Sequence, residues 1–174
     1  MTDKATGQYD ETILRLATVL VRVVIVALWV GLAVIALAVP GVVLWRGEVL
    51  AELAKEGMAD GVAIPALLAL MTGGAAILYA AIQFFRRLLA VMRTVRKGDP
   101  FVPENAARLR AMAWLLLAIE VGGLAVGLFS HWAFGRSNGF EFSVTGLIAV
   151  LSLFVLARVF ARGTAMREDI EGTV

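Results

Sequence analysis

Few residues in this chain could do chemistry, and they are scattered. Cysteine is absent and His131 is the only histidine among 174 residues. That removes disulfides, thiol catalysis, zinc sites assembled from Cys and His, and haem attachment. Glu120 is the one acidic residue inside a long apolar run. It needs a cation or a proton, because an unpaired charge in lipid costs about 2.5 kcal/mol or more. Arg22, Gln83 and Arg158 also fall inside apolar runs, a few residues from the basic end of each, and could form one polar layer with Glu120. Arg22 shares a helical face with Ala33 and Ala36, which makes it the expected first partner. Arg158 is free to snorkel to headgroups. Glu120 then reads as a structural ion pair, or as the proton or cation site of a small coupled transporter. The first is favoured, because only Thr72, Ser130 and His131 are left to line a path farther out. His131 beside Trp132 reads as an interfacial residue, with pH sensing near 6.5 as the sharper alternative. No nucleophile, metal set or paired acid and base occurs at interface depth, so the chain is expected to be non-enzymatic, with no cofactor and no metal.

The elements that hold these residues are set by hydrophobicity. The chain is 60% hydrophobic and 17% charged, against about 45–50% and 25% in soluble domains, and its mean hydropathy is +0.86. Four apolar runs, Val19 to Trp45, Ile64 to Phe85, Met112 to Phe134 and Phe142 to Ala161, can each cross a hydrocarbon layer of about 30 Å. The reading is an all-α, polytopic membrane protein of one domain, with four transmembrane helices. All but three of its 16 Lys and Arg lie on the side of the N-terminal segment, the central loop 86–111 and the tail 162–174. Only Arg46, Lys55 and Arg136 lie opposite. The positive-inside rule therefore predicts that both termini and the central loop are cytoplasmic. A cleavable signal peptide fits poorly, because Asp3, Asp10 and Glu11 precede the first run and the run is too long.

Faces of the predicted helices add packing detail. Ala113, Leu116, Glu120, Gly123, Gly127 and His131 share one face of span three, and Gly123 to Gly127 is a GxxxG pattern that lets backbones approach. Span two carries a matching stripe of Ala66, Ala69, Gly73, Ala76 and Ala80. The two spans are expected to pack together, and the GxxxG face also permits a homo-oligomer. Beyond the membrane, Leu88, Val91, Met92 and Val95 keep the helical period until Gly98-Asp99-Pro100 breaks it, and helix resumes at Pro103-Glu104. This cytoplasmic helical hairpin is strongly basic, while the tail carries Glu168, Asp169 and Glu171. The two can attract each other. The ordinary reading of the basic loop is contact with anionic headgroups. The sharper reading is a docking surface for a soluble partner, with Arg93, Arg96, Asp99, Phe101, Glu104, Asn105, Glu168 and Asp169 as binding residues. Direct nucleic-acid binding is not expected, because no base-reading module accompanies the charge. On the opposite side Glu48, Glu52 and Glu56 form the solvated face of a short amphipathic segment.

Two blocks carry a resemblance. Gly98-Asp99-Pro100-Phe101 with Pro103-Glu104-Asn105 and Leu109-Arg110 is one. Val159-Phe160-Ala161-Arg162-Gly163 through Met166-Arg167-Glu168-Asp169 to Glu171-Gly172-Thr173-Val174 is the other. In these the chain resembles the YoaS-like bacterial membrane proteins of unknown function. Position 102 departs from the pattern, where Ser or Thr often caps the helix and Val102 cannot. The resemblance implies four spans, a place in the bacterial inner membrane and a candidate cytoplasmic partner, a small helix-turn-helix regulator. It supplies no enzymatic residues.

Overall fold

The computed structural model describes residues 2–55, 60–135 and 143–171, with side chains for 13–55, 61–135 and 143–167. The regular structure there is all helix: α1 (Thr2–Leu44), α2 (Arg46–Lys55), α3 (Asp60–Arg96), α4 (Pro103–Phe134) and α5 (Val144–Glu171). Four of them, α1, α3, α4 and α5, are long and apolar enough to cross a membrane, as the apolar runs predict. The protein is a multi-pass membrane protein. The short segment expected after span one is α2. Helical bonding runs almost unbroken into it, since the Trp45 N–H donates to the Gly41 carbonyl at 2.9 Å and the Trp45 carbonyl accepts from the Val49 N–H at 3.0 Å.

The four long helices form one layer in chain order. Helix α1 lies against α3, α3 against α4, and α4 against α5. Among the described residues no Cα of α1 comes within 8 Å of α4 or α5, and none of α3 within 8 Å of α5. Both faces of such a layer are open. Leu37 is 77% exposed, and Trp29, placed mid-run, points outward rather than into a core. In water this apolar surface would drive aggregation, whereas in a bilayer lipid covers it.

Small residues set the spacing between neighbours. A Cβ on Gly73 would stand 2.8 Å from Val126 Cγ2, and one on Gly122 would stand 3.5 Å from Ile77 Cγ1. Spans two and three therefore pack closely. The predicted stripe is kept in part: Ala66 is buried and Gly73 meets Val126, but Ala69 and Ala76 are exposed. Gly73, Ile77, Phe84 and Leu88 make the contact ridge, the last two packing against the cluster of Leu109, Met112 and Ala157. Gly123 and Gly127 are buried, Gly127 on the stretch of α4 that has α3 as its only neighbour among the described residues. Val126 is β-branched and held in one rotamer in a helix, so Gly73→Ala must push α3 and α4 apart. Gly74 has nothing within 4 Å of an added Cβ. The two substitutions gain the same helix propensity, so Gly73→Ala is expected to unfold about 1–3 kcal/mol more easily than Gly74→Ala, read by thermal unfolding in detergent.

The antiparallel contacts also fix depth. Gly31 meets Leu78, Gly73 meets Val126 and Trp114 meets Phe154. This register puts Arg22, Arg87, Arg110 and Arg158 within about one helical turn of a common level. Trp132 on α4 and Trp45 on α1 lie about 33 Å from that arginine belt by helical rise, close to the thickness of a hydrocarbon core. Helix α5 begins at Val144 and runs past the predicted end of span four at Ala161 to Glu171. Its first turn stands level with Glu120 to Leu124, about 15 Å short of the far end of α4.

Candidate functional site

Past the belt, α3 continues unbroken for nine residues, about 13 Å, to Arg96. The break comes where the sequence predicts it. Gly98 adopts φ +80°, its N–H donates to the Val95 carbonyl at 3.0 Å, and the Asp99 N–H donates to the Thr94 carbonyl at 3.2 Å. This pair of bonds is the Schellman closure of a helix end, and it requires a residue that tolerates positive φ. Helix α4 then starts with Pro103 after Val102, which offers no side-chain cap. The Asn105 N–H donates to the Val102 carbonyl at 2.9 Å.

Asn105 locks this turn. It is fully buried at 0% exposure. Its Nδ2 donates to Thr94 Oγ1 at 2.6 Å and to the Pro100 carbonyl at 2.9 Å, and its Oδ1 accepts from Arg108 Nη1 at 2.8 Å. One side chain thus ties the end of α3, the loop and the first turns of α4 together. The end of α5 closes over the loop. Phe101 packs on Phe160 with ring centroids 5.3 Å apart, and a Cβ on Gly163 would fall 2.7 Å from Phe101 Cδ1. Thr164 Oγ1 lies 3.3 Å from the Phe101 carbonyl and 3.0 Å from the Phe160 carbonyl, and Arg167 Nη1 pairs with Asp99 Oδ1 at 2.6 Å. Phe160, Gly163, Thr164 and Arg167 recur at helical spacing, so one face of α5 grips the loop. We call this arrangement the clasp.

Hairpin and tail do attract each other, but with roles reversed from the charge balance: the described ion pair joins an acid of the hairpin to a base of the tail. Both partners are about half exposed, with side chains 51% exposed for Arg167 and 43% for Asp99, so the pair is worth about 0–1 kcal/mol. Asp99→Ala is accordingly expected to change unfolding stability by less than about 1 kcal/mol, which a denaturation series at low and high salt would check.

The residues expected to bind a partner divide into two sets. Asp99, Phe101 and Asn105 are engaged within the clasp, although Phe101 keeps 41% exposure. Arg93, Arg96 and Glu104 point outward, as does Lys97. Glu168 and Asp169 belong to α5, but their side chains lie outside the described residues, as does Glu56. Thr94, Arg108, Gly163, Thr164 and Arg167 were not among the expected site residues. Their signal was the shared face of the last turns of α5 and a buried asparagine in need of partners.

The expected polar layer is corrected. Arg22 is not the partner of Glu120, because α1 does not approach α4 among the described residues, and it sits about 12 Å nearer the basic end by the register. Gln83 is used within its own helix, accepting from Arg87 Nη1 through its backbone carbonyl at 3.0 Å and Oε1 at 3.4 Å. Arg158 lies in the belt and is exposed, as snorkelling requires. The Glu120 carboxylate lies against Gly146, in the first turn of α5, where the Gly146 N–H donates to Ser143 Oγ at 3.1 Å. The positive end of a helix dipole is a favourable place for a carboxylate. A side chain on Gly146 would occupy that place. His131 is exposed near the far end of α4.

A family model described as a protein of unknown function, DUF2975, matches residues 48–174. The chain belongs to the DUF2975 family. No curated protein and no solved structure matches it. The DUF2975 stretch begins inside α2 and takes in α3, α4 and α5, hence the whole clasp and the Glu120–Gly146 contact. Helix α1, whose neighbours among the described residues are α2 and α3, lies outside it. Both sequence blocks that carry the resemblance are thus in the DUF2975 stretch, about 60 residues apart, and the fold presses them together. Everything the clasp needs is supplied by α3, α4 and α5.

Proposed function

We propose that this DUF2975 protein is a bacterial inner-membrane protein whose basic end faces the cytoplasm, where the clasped hairpin docks and sequesters a soluble regulatory protein. The carrying observation is the clasp. It spends Asp99, Phe101 and Asn105 on holding a stiff helical end that stands about 13 Å past the arginine belt, and it leaves Arg93, Arg96 and Lys97 facing outward. A preformed basic surface suits an acidic patch on a partner, since ordering costs are already met. The likeness to the YoaS-like proteins supports a small helix-turn-helix regulator as that partner, and the bias of Lys and Arg supports cytoplasmic termini. Contact between the arginine belt and anionic headgroups accompanies the docking. The reading assigns no catalysis and no cofactor.

The test is capture of the tagged full-length protein from its native membrane in mild detergent, beside an Arg93→Glu, Arg96→Glu variant that leaves the clasp residues in place. One soluble protein recovered in stoichiometric amount with the wild type and lost with the variant is expected. Equal recovery from both would count against docking. A second reading rests on Glu120. Its carboxylate meets the start of α5 within the apolar layer, which supports a small oligomeric transporter or channel for protons or cations. There Glu120→Gln should abolish flux in proteoliposomes while unfolding stability is kept.

A further inference from the structure

We infer that Arg110 and Arg158 form a binding site for the phosphate of an anionic glycerophospholipid, with an acyl chain lying along α5. The two arginines line one concavity of about 530 Å³ with Phe154, Val155, Ala157 and Ala161. Each is exposed, and neither has a hydrogen bond or ion pair among the described residues. The site therefore holds two uncompensated guanidiniums over an apolar floor. Guanidinium is the side chain best shaped to fork onto phosphate oxygens.

Position and shape identify the occupant. Both arginines sit in the belt shared with Arg22 and Arg87. Trp114, one turn above Arg110, is 59% exposed and packs edge-on against Phe154, with centroids 5.3 Å apart. An exposed tryptophan at this depth marks the boundary between headgroups and hydrocarbon. From Val155 a second, almost wholly apolar groove continues past Leu151 and Ser152 to Ile148. Arg158 to Ile148 is about 15 Å of helix. The apolar track thus starts at the charged concavity and runs toward the bilayer centre, which suits a lipid with its phosphate at the belt and a chain in the groove. A free phosphate would use only the charged end. This inference needs the membrane placement of the helices but not the docking of a partner.

The purified full-length protein, in detergent, would be titrated with phosphatidylglycerol or phosphatidylcholine, and bound lipid counted by native mass spectrometry. The expected result is a preference for phosphatidylglycerol that Arg110→Gln with Arg158→Gln reduces roughly thirty-fold, from the worth of two basic residues at an anionic surface. Val155→Trp fills the floor but keeps both charges, and should lower the same preference. Arg93→Gln with Arg96→Gln, beyond the belt, should not. All of these side chains but Val155 end on an exposed surface, and Val155 is itself exposed, so folding should survive. Equal binding of the two lipids by the wild type, or an unchanged preference in the Arg110 and Arg158 variant, would overturn the site. So would displacement of bound lipid by millimolar inorganic phosphate with Val155→Trp without effect, because that would assign a free anion instead.

Discussion

Asn105→Ala is expected to be among the most destabilising single substitutions in the chain, at about 2–4 kcal/mol in unfolding free energy. The side chain has no contact with solvent, and its amide makes three hydrogen bonds, at 2.6, 2.9 and 2.8 Å. Truncation removes all three bonds. It also takes one partner each from the Pro100 carbonyl and the Arg108 guanidinium, both half-buried. Each lost bond costs about 0.5–1.5 kcal/mol, and one to a charged group about 1.5–3 kcal/mol. Asn105→Asp separates the terms. It keeps an acceptor for Arg108 but places an oxygen where Nδ2 now donates to the Pro100 carbonyl. If donation into the loop is what matters, Asp destabilises nearly as much as Ala. If the Arg108 contact dominates, Asp is close to wild type. Thermal unfolding in detergent reads the stability, and trypsin cleavage after Lys97 reads the loop, which should be cut faster in both variants under the first account.

The contrast with Asp99 shows how much of this was visible before the fold was known. The break at Gly98, the restart at Pro103 and the four apolar helices follow from local rules, because positive φ, a missing N–H and the length of an apolar run each act within a few residues. The clasp could be half seen. Its two blocks stood out in sequence as paired motifs, yet which atoms meet depends on the register of α4 against α5, and no local rule sets that. Charge balance predicted attraction between hairpin and tail, but the ion pair found is Asp99 with Arg167, because the face of α5 that carries Phe160, Gly163 and Thr164 brings Arg167 to the loop. The Arg22 to Glu120 pairing failed for a related reason. A similar depth was read from the span ends, whereas the register sets Arg22 and Glu120 about 12 Å apart in depth, and the single layer keeps α1 away from α4 among the described residues. Helical periodicity reports which face is apolar. In a membrane it does not say whether a helix or lipid covers that face, since the two are alike in polarity.

Gly163→Val is expected to open the clasp, and the reason lies in what an added side chain would meet. Some glycines of this fold hold positions that a Cβ would contest. Gly73 faces Val126, Gly146 faces the Glu120 carboxylate and Gly163 faces the Phe101 ring. The cost depends on how the opposing group can yield. The end of a glutamate can swing aside by rotation about its outer bonds, so Gly146→Ala should move Glu120 more than it separates α4 from α5. Phe101 has no such outer joint. Its ring is stacked on Phe160, and its own carbonyl lies beside Thr164 Oγ1, so relief requires the whole ring to leave. Overpacking of this kind costs about 1–3 kcal/mol, and valine recovers little of it through helix propensity. A smaller ring site should tolerate the larger neighbour. In the double variant Phe101→Ala, Gly163→Val, the valine should cost less than it does alone, with a coupling of about 1–2 kcal/mol between the positions. Additive effects in that cycle would mean that Gly163 acts on α5 alone, and that Phe101 does not depend on it. A coupled result with faster cleavage after Lys97 in Gly163→Val would tie the two blocks of the chain to one mechanical unit, in which the tail holds the loop in place and with it the orientation of Arg93 and Arg96.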